Sequence, residues 1–235
     1  MNFQTTRWTL VRQARGQNPE GQQALSDLCA AYYAPVVAFL RRENRDGDEA
    51  REQAHEFFQT LLEKPSLEGA AEVQGRFRSY LLGALKHFQS KRREYLGRQK
   101  RGGDVISIPL EVGTETSPGL ILPDHHELSP DAFFDRRWAL AVLERAFTTL
   151  SQEHQAAGKA DEFERLKPWL TGDASHGDQV AAARAIGASE GALKVAVYRL
   201  RRRFRELVKA EVIQTVASPE GAGEEMRHLF AALGG

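Results

Sequence analysis

Between Gly102 and Pro130 the chain reads GGDVISIPLEVGTETSPGLILPDHHELSP, a stretch holding four glycines and four prolines. Proline removes a backbone donor and fixes φ, and glycine carries the largest entropy cost of ordering, so no regular helix runs through such a segment. On both sides apolar residues return every three or four positions. ALSDLCAAYYAPVVAFLRREN, GDEAREQAHEFFQTLLEK and GRFRSYLLGALKHFQSKRREYLGRQKR precede the break, and SPDAFFDRRWALAVLERAFTTLSQEH follows it with a Ser/Asp start signal. The one β-like run, VISIPL, lies inside the break and contains a proline. The pattern predicts an all-α fold of two helical domains, residues 1–101 and 131–210, joined by a flexible linker at 102–130. An extension at 211–235 follows, and its apolar spacing at Met226, Leu229, Phe230 and Leu233 predicts a short helix packed on the C-terminal domain or on a partner.

A chain of 235 residues can bury one or two cores. Its 41% apolar and 27% charged residues are those of an ordinary globular protein rather than a disordered or membrane chain. No uninterrupted apolar run approaches the roughly 20 residues that span a bilayer, and MNFQTTRWTLVRQARG lacks the apolar core of a secretory signal. A cytoplasmic protein with no membrane partner is expected. A single cysteine, Cys29, forms no internal disulfide and cannot build a cysteine-based zinc site. The adjacent His125 and His126, flanked by Asp124 and Glu127, are loop neighbours that do not converge on one ion. No phosphate-cradling GxxxxGK run is present. The expectation is therefore no catalytic residues, no metal, no cofactor and no enzymatic activity.

The formal charge is zero, yet it is unevenly spread. Arg76 to Arg101 carries a net +8, Lys194 to Lys209 a net +6, and the remainder −14. Two basic blocks in an acidic background point to two contacts with a polyanion and to other surfaces that avoid it.

The second block explains itself first. In DQVAAARAIGASEGALKVAVYRLRRRFREL a short apolar helix at about 178–186 meets Gly187, which ends it, and Ser189, which caps a longer helix. This is a helix-turn-helix pattern, with small Ala183 where two helices approach closely. At 100° per residue Leu193, Ala196, Val197, Leu200, Phe204 and Leu207 form one stripe. In such motifs the first turns of the second helix reach base edges in the major groove, while flanking cations hold phosphates. Glu190, Lys194, Val195 and Tyr198 are the base-edge candidates; Arg199, Arg201, Arg202 and Arg205 are the phosphate anchors.

The first block interleaves Phe77, Tyr80, Phe88 and Tyr95 with cations, the mixture that stacks unpaired bases along a phosphate backbone. Phe77, Leu81, Leu85 and Phe88 keep core spacing, which leaves Tyr80 as the better stacking candidate. Lys86, Lys91, Arg92 and Arg93 are candidates for backbone contacts.

With these residues in place the chain resembles a bacterial sigma factor of the sigma-70 family, extracytoplasmic-function type. The resemblance is carried by TTRWTLV, EFFQTLLEK at 56–64, GRFRSYLLGALKHF at 75–88, QKRGG at 99–103, FDRRWALAVLERA at 134–146, FERLKPWLTGD at 163–173 and SEGALKVAVYRLRRRFREL at 189–207. It implies an N-terminal domain that binds core RNA polymerase and recognises and melts the −10 promoter element, and a C-terminal domain that reads the −35 element. It places polymerase contacts on DEAREQAHEFFQTLLEK, at Glu49, Glu52, His55, Glu56 and Phe57. It places −10 contacts on the next helix, at Arg78, Tyr80, Lys86, His87, Lys91, Arg92 and Arg93. Core RNA polymerase and promoter DNA are the implied partners, with room for an anti-sigma factor, and the chain is expected to act as a monomer in the holoenzyme.

The chain departs from the family pattern at several positions. Gln53, Ala54, His55 and Glu56 stand where relatives carry an apolar residue followed by Thr-Gln-Glu, so Gln53 is expected to loosen the packing of its helix. His87 replaces a usual Asn and Lys91 a frequent Asp, which alters the expected −10 preference. Two other readings use fewer of these features: a helix-turn-helix regulator that acts without replacing a sigma factor, and an adaptor whose basic faces dock acidic proteins.

Overall fold

A computed structural model describes residues 10, 13–14, 16, 18–43, 47–63, 76–100, 129–171, 183–184, 187, 189–216 and 218–234. Among them the chain is all-α. The helices are α1 (Pro19–Glu43), α2 (Gly47–Glu63), α3 (Phe77–Lys100), α4 (Pro130–Ala156), α5 (Ala160–Leu166), α6 (Pro168–Thr171), α7 (Glu190–Ile213) and α8 (Ala222–Gly234), with a 3₁₀ turn at Pro219–Gly221 before α8. The only β pairing among the described residues is an isolated antiparallel bridge between Arg76 and Val216. The expected linker lies outside the described residues apart from Ser129 and Pro130, as do the residues around His125 and His126 and most of the expected 178–186 helix.

The helix ends follow from local chemistry. Asn18 stands just before Pro19, and its Oδ1 accepts a hydrogen bond from the Gly21 N–H at 2.8 Å. Ser129 caps α4 by accepting from the Ala132 N–H at 3.2 Å, with Pro130 in the first turn, where a missing N–H costs nothing. Gly158, at φ +69°, follows the other end of α4 and takes up the left-handed conformation there. The boundary expected at residue 210 falls inside a helix, since α7 continues to Ile213.

The helices share one core. Leu28, Tyr32, Val36 and Leu40 of α1, Phe77, Leu81 and Leu85 of α3, Phe134, Trp138 and Val142 of α4, Leu200 and Val212 of α7 and Leu229 of α8 belong to a single buried apolar cluster. The most extensive helix pairing is α1 on α4, which also receives α7 and α8. By length and composition Pro19–Arg42 is apolar enough to cross a membrane. Here Leu28, Ala31, Tyr32, Val36 and Leu40 of that helix are fully buried in the shared core.

A proline inside α1 shows how the pairing is secured. Pro35 has no N–H to donate to the carbonyl of Ala31 one turn earlier. Arg145 of α4 supplies the donor, its Nη1 lying 3.3 Å from the Ala31 oxygen while its Nε donates to Glu211 of α7 at 2.7 Å. One guanidinium thus ties α1, α4 and α7. Arg145→Ala is expected to lower stability by about 1–2 kcal/mol, because it strips the carbonyl of its donor. Urea denaturation followed by circular dichroism measures this, and an unchanged midpoint would deny the tie.

Candidate nucleic-acid interface

The turn ahead of α7 has the geometry its residues dictate. Gly187 sits at φ +66°, a conformation that a β-carbon disfavours, and its N–H donates to the Arg184 carbonyl at 3.1 Å. Ser189 has extended backbone and its Oγ accepts from the Ala192 N–H at 3.2 Å, opening α7. Ala183 is buried and helical just before the turn.

The inner stripe of α7 is seated as its spacing predicts: Leu193, Val197, Leu200 and Leu207 are buried. The outer face is exposed at Glu190, Lys194, Val195, Tyr198, Arg199, Arg201, Arg202 and Arg205. Two large apolar side chains stand on it, Val195 at 48% exposure and Tyr198 at 60%.

The arginines of this helix divide into two kinds. Arg201 donates through Nε and Nη2 to the Trp169 carbonyl in α6, at 3.0 and 2.7 Å, which engages it with its own fold. Arg203 is clamped by Glu153 of α4 at 2.6 and 2.9 Å and by Glu206. These hydrogen bonds hold its guanidinium firmly charged, and Arg203 in turn pulls the Glu153 carboxyl below the usual range. Arg202 pairs with Glu206 at 3.1 Å but remains 68% exposed, and such surface pairs exchange readily for another anion. Arg205 donates to the Arg201 carbonyl at 3.2 Å and remains exposed.

The α3 face differs more from expectation. Arg78, expected at the DNA surface, is only 4% exposed. Its guanidinium lies 5.0 Å from the Trp138 ring centroid and is paired with Asp135 of α4 and, at 3.1 Å, with Glu225 of α8. Tyr80 is half-buried against the core and its ring is 6.2 Å from that of Phe77. Lys86 is exposed but paired with Asp131 of α4. Arg92 donates to Glu56 of α2 at 2.7 Å, with Glu49 3.9 Å away. His87, Lys91 and Arg93 are exposed. Beyond the core α3 also displays Tyr95 at 61% and Leu96 at 42% exposure beside these cations. Tyr95 continues the spacing of the Phe77–Phe88 stripe but is exposed.

On α2, Glu49, Glu52, His55 and Glu56 are exposed, but Phe57 is 2% exposed and belongs to the core, edge-on to Phe58 and Phe88. His55 stacks on Tyr33, with its Nε2 3.1 Å from the phenol oxygen. Gln53 does not loosen the helix. It is buried, accepting from Gln89 of α3 at 2.8 Å and donating to Glu49 at 2.8 Å, so an amide pair takes the place of apolar packing. An open cleft of about 370 Å³ lies between α2 and α3, lined by Phe57, Leu61, Tyr80, Ala84, His87 and Phe88 among others.

No protein-family model, curated protein or solved structure matches this chain.

Proposed function

We propose that the chain is a sigma factor of the extracytoplasmic-function type, a subunit that binds core RNA polymerase and directs transcription initiation at defined promoters. The observation that carries this reading is the outer face of α7, where Val195 and Tyr198 are exposed among Lys194, Arg199, Arg202 and Arg205 directly after a glycine turn and a serine cap. On this reading the turn and α7 form a helix-turn-helix that enters the major groove at the −35 element, with phosphates held on either side. The distal half of α3, with His87, Lys91, Arg93 and Tyr95, faces the −10 region and its unpaired strand. Glu49, Glu52, His55 and Glu56 of α2 face the polymerase. The division into domains at 1–101 and 131–210 with a linker between them belongs to the same proposal, as do monomeric action and a place in the bacterial cytoplasm.

One observation favours a second reading, a helix-turn-helix regulator that acts without replacing a sigma factor. Glu49 and Glu56 face Arg92, His55 stacks on Tyr33, and Phe57 is buried, so little of the expected polymerase face is idle. Co-purification with bacterial core RNA polymerase, followed by transcription from a genomic DNA library, separates the two. Stable association and new, defined start sites are expected. Salt-sensitive duplex binding with no polymerase association would establish the regulator instead.

A further inference from the structure

The two cations at the start of α3 are neutralised from the far end of the chain. Arg76 lies 2.6 Å from Glu224 through Nη2 and 3.3 Å from Glu225 through Nε, and Arg78 lies 3.1 Å from the other oxygen of Glu225. Glu225 is fully buried, and Asp135, which also holds Arg78, is held in turn by His228 of α8 at 2.9 Å. The backbone joins in: the Phe77 N–H donates to the Thr215 carbonyl at 2.9 Å, and Arg76 bridges Val216. Thr215, Val216, Glu224 and Glu225 thus hold the start of α3.

We infer that the segment Thr215–Gly234 is an autoinhibitory latch, whose carboxylates occupy Arg76 and Arg78 in place of nucleic-acid phosphates and pin the end of α7 to the start of α3. The inference rests on the reading of the chain as a promoter-recognition subunit.

Three features make this a latch rather than one more core helix. The contact is ionic at its centre, and buried ion pairs add little stability over apolar packing of the same volume while selecting a particular arrangement. The apolar hold is incomplete: Ala222 and Leu229 are buried and Met226, Ala232 and Leu233 pack against the core, but Phe230 on the same helix is 61% exposed. Glu224 is 64% exposed in its pair with Arg76, open to displacement by a competing anion. Carboxylates and phosphates compete for the same guanidinium geometry, so a DNA strand along α3 displaces the acids it resembles. The bridge also follows α7 directly. Separate movement of α7 and α3 onto two promoter elements therefore breaks it first.

A reversible lock tests the latch in the full chain. Phe77 and Thr215 make the hydrogen bond beside the Arg76/Val216 pair, which makes it a non-hydrogen-bonded antiparallel pair with α-carbons close enough for a disulfide. Arg76→Cys with Val216→Cys, in a Cys29→Ser background, is compared oxidised and reduced. The probes are a labelled single-stranded oligonucleotide and a labelled duplex, read by fluorescence anisotropy. Oxidation is expected to weaken single-strand binding about tenfold or more, since only the open population binds, and to leave duplex binding by α7 unchanged. Equal single-strand affinity in both states, or failure of the pair to oxidise, would overturn the latch. Glu224→Gln, at an exposed position, is expected to raise single-strand affinity in the otherwise natural chain, and an unchanged or lower affinity would count against it. Absence of duplex binding in every state is a different failure, that of the promoter-recognition reading.

Discussion

Trp138→Ala is expected to lower the stability of the chain by about 3–5 kcal/mol, a large part of the roughly 5–15 kcal/mol that a folded chain has in total. Trp138 is fully buried in α4 and belongs to the cluster that joins α1, α3, α4, α7 and α8. Its ring lies under the Arg78 guanidinium and 6.3 Å from the His228 ring. Truncation therefore opens a cavity and removes the apolar floor of a buried ion cluster at once. Trp138→Phe is expected to cost far less, about 1 kcal/mol, because the phenyl ring keeps most of the packing. The indole Nε1 has no hydrogen-bond partner among the described residues, so its removal relieves an unsatisfied donor. Circular dichroism during urea denaturation suits the comparison, since Trp8 and Trp169 remain as fluorophores in both variants. Equal losses for the two substitutions would mean that the indole N–H matters more than the ring.

What could be read from the sequence was local. The caps at Ser129 and Ser189, the left-handed turn at Gly187 and the buried stripe of α7 each depend on residues within a few positions of one another, and all are where the spacing puts them. The all-α class follows from the same periodicity. The fate of each charge was not legible, because it is decided by partners far along the chain. Arg78 meets a glutamate 147 residues away, Arg92 one 36 away and Arg203 one 50 away, and no window of sequence carries those pairings. Counting cations thus overstated the first basic block, four of whose members face acids of α2, α4 or α8. Periodicity also shows which face of a helix is apolar without showing where the neighbouring helix ends. The family resemblance places Phe57 on a docking face, whereas the packing of α2 buries it.

The division among the α7 arginines gives the second large expected effect. Arg202→Ala combined with Arg205→Ala removes two exposed cations from the candidate DNA face without touching the core. Each lost phosphate contact lowers the slope of log K against log salt by about 0.9, so the pair is expected to flatten it by about 1.8 on every duplex alike. Arg201→Ala behaves differently. Its guanidinium holds the Trp169 carbonyl, so the loss appears first in the urea midpoint, with the salt slope nearly intact. Lys194→Ala or Tyr198→Ala is expected to change preference among sequences, by about 1–3 kcal/mol at the base pair each one contacts. The three patterns, uniform loss, stability loss and selective loss, follow from where each side chain lies on one helix. If Arg201→Ala flattened the slope as much as Arg202→Ala and left stability unchanged, its bond to Trp169 would be broken on DNA, and α6 would have to move when α7 enters the groove.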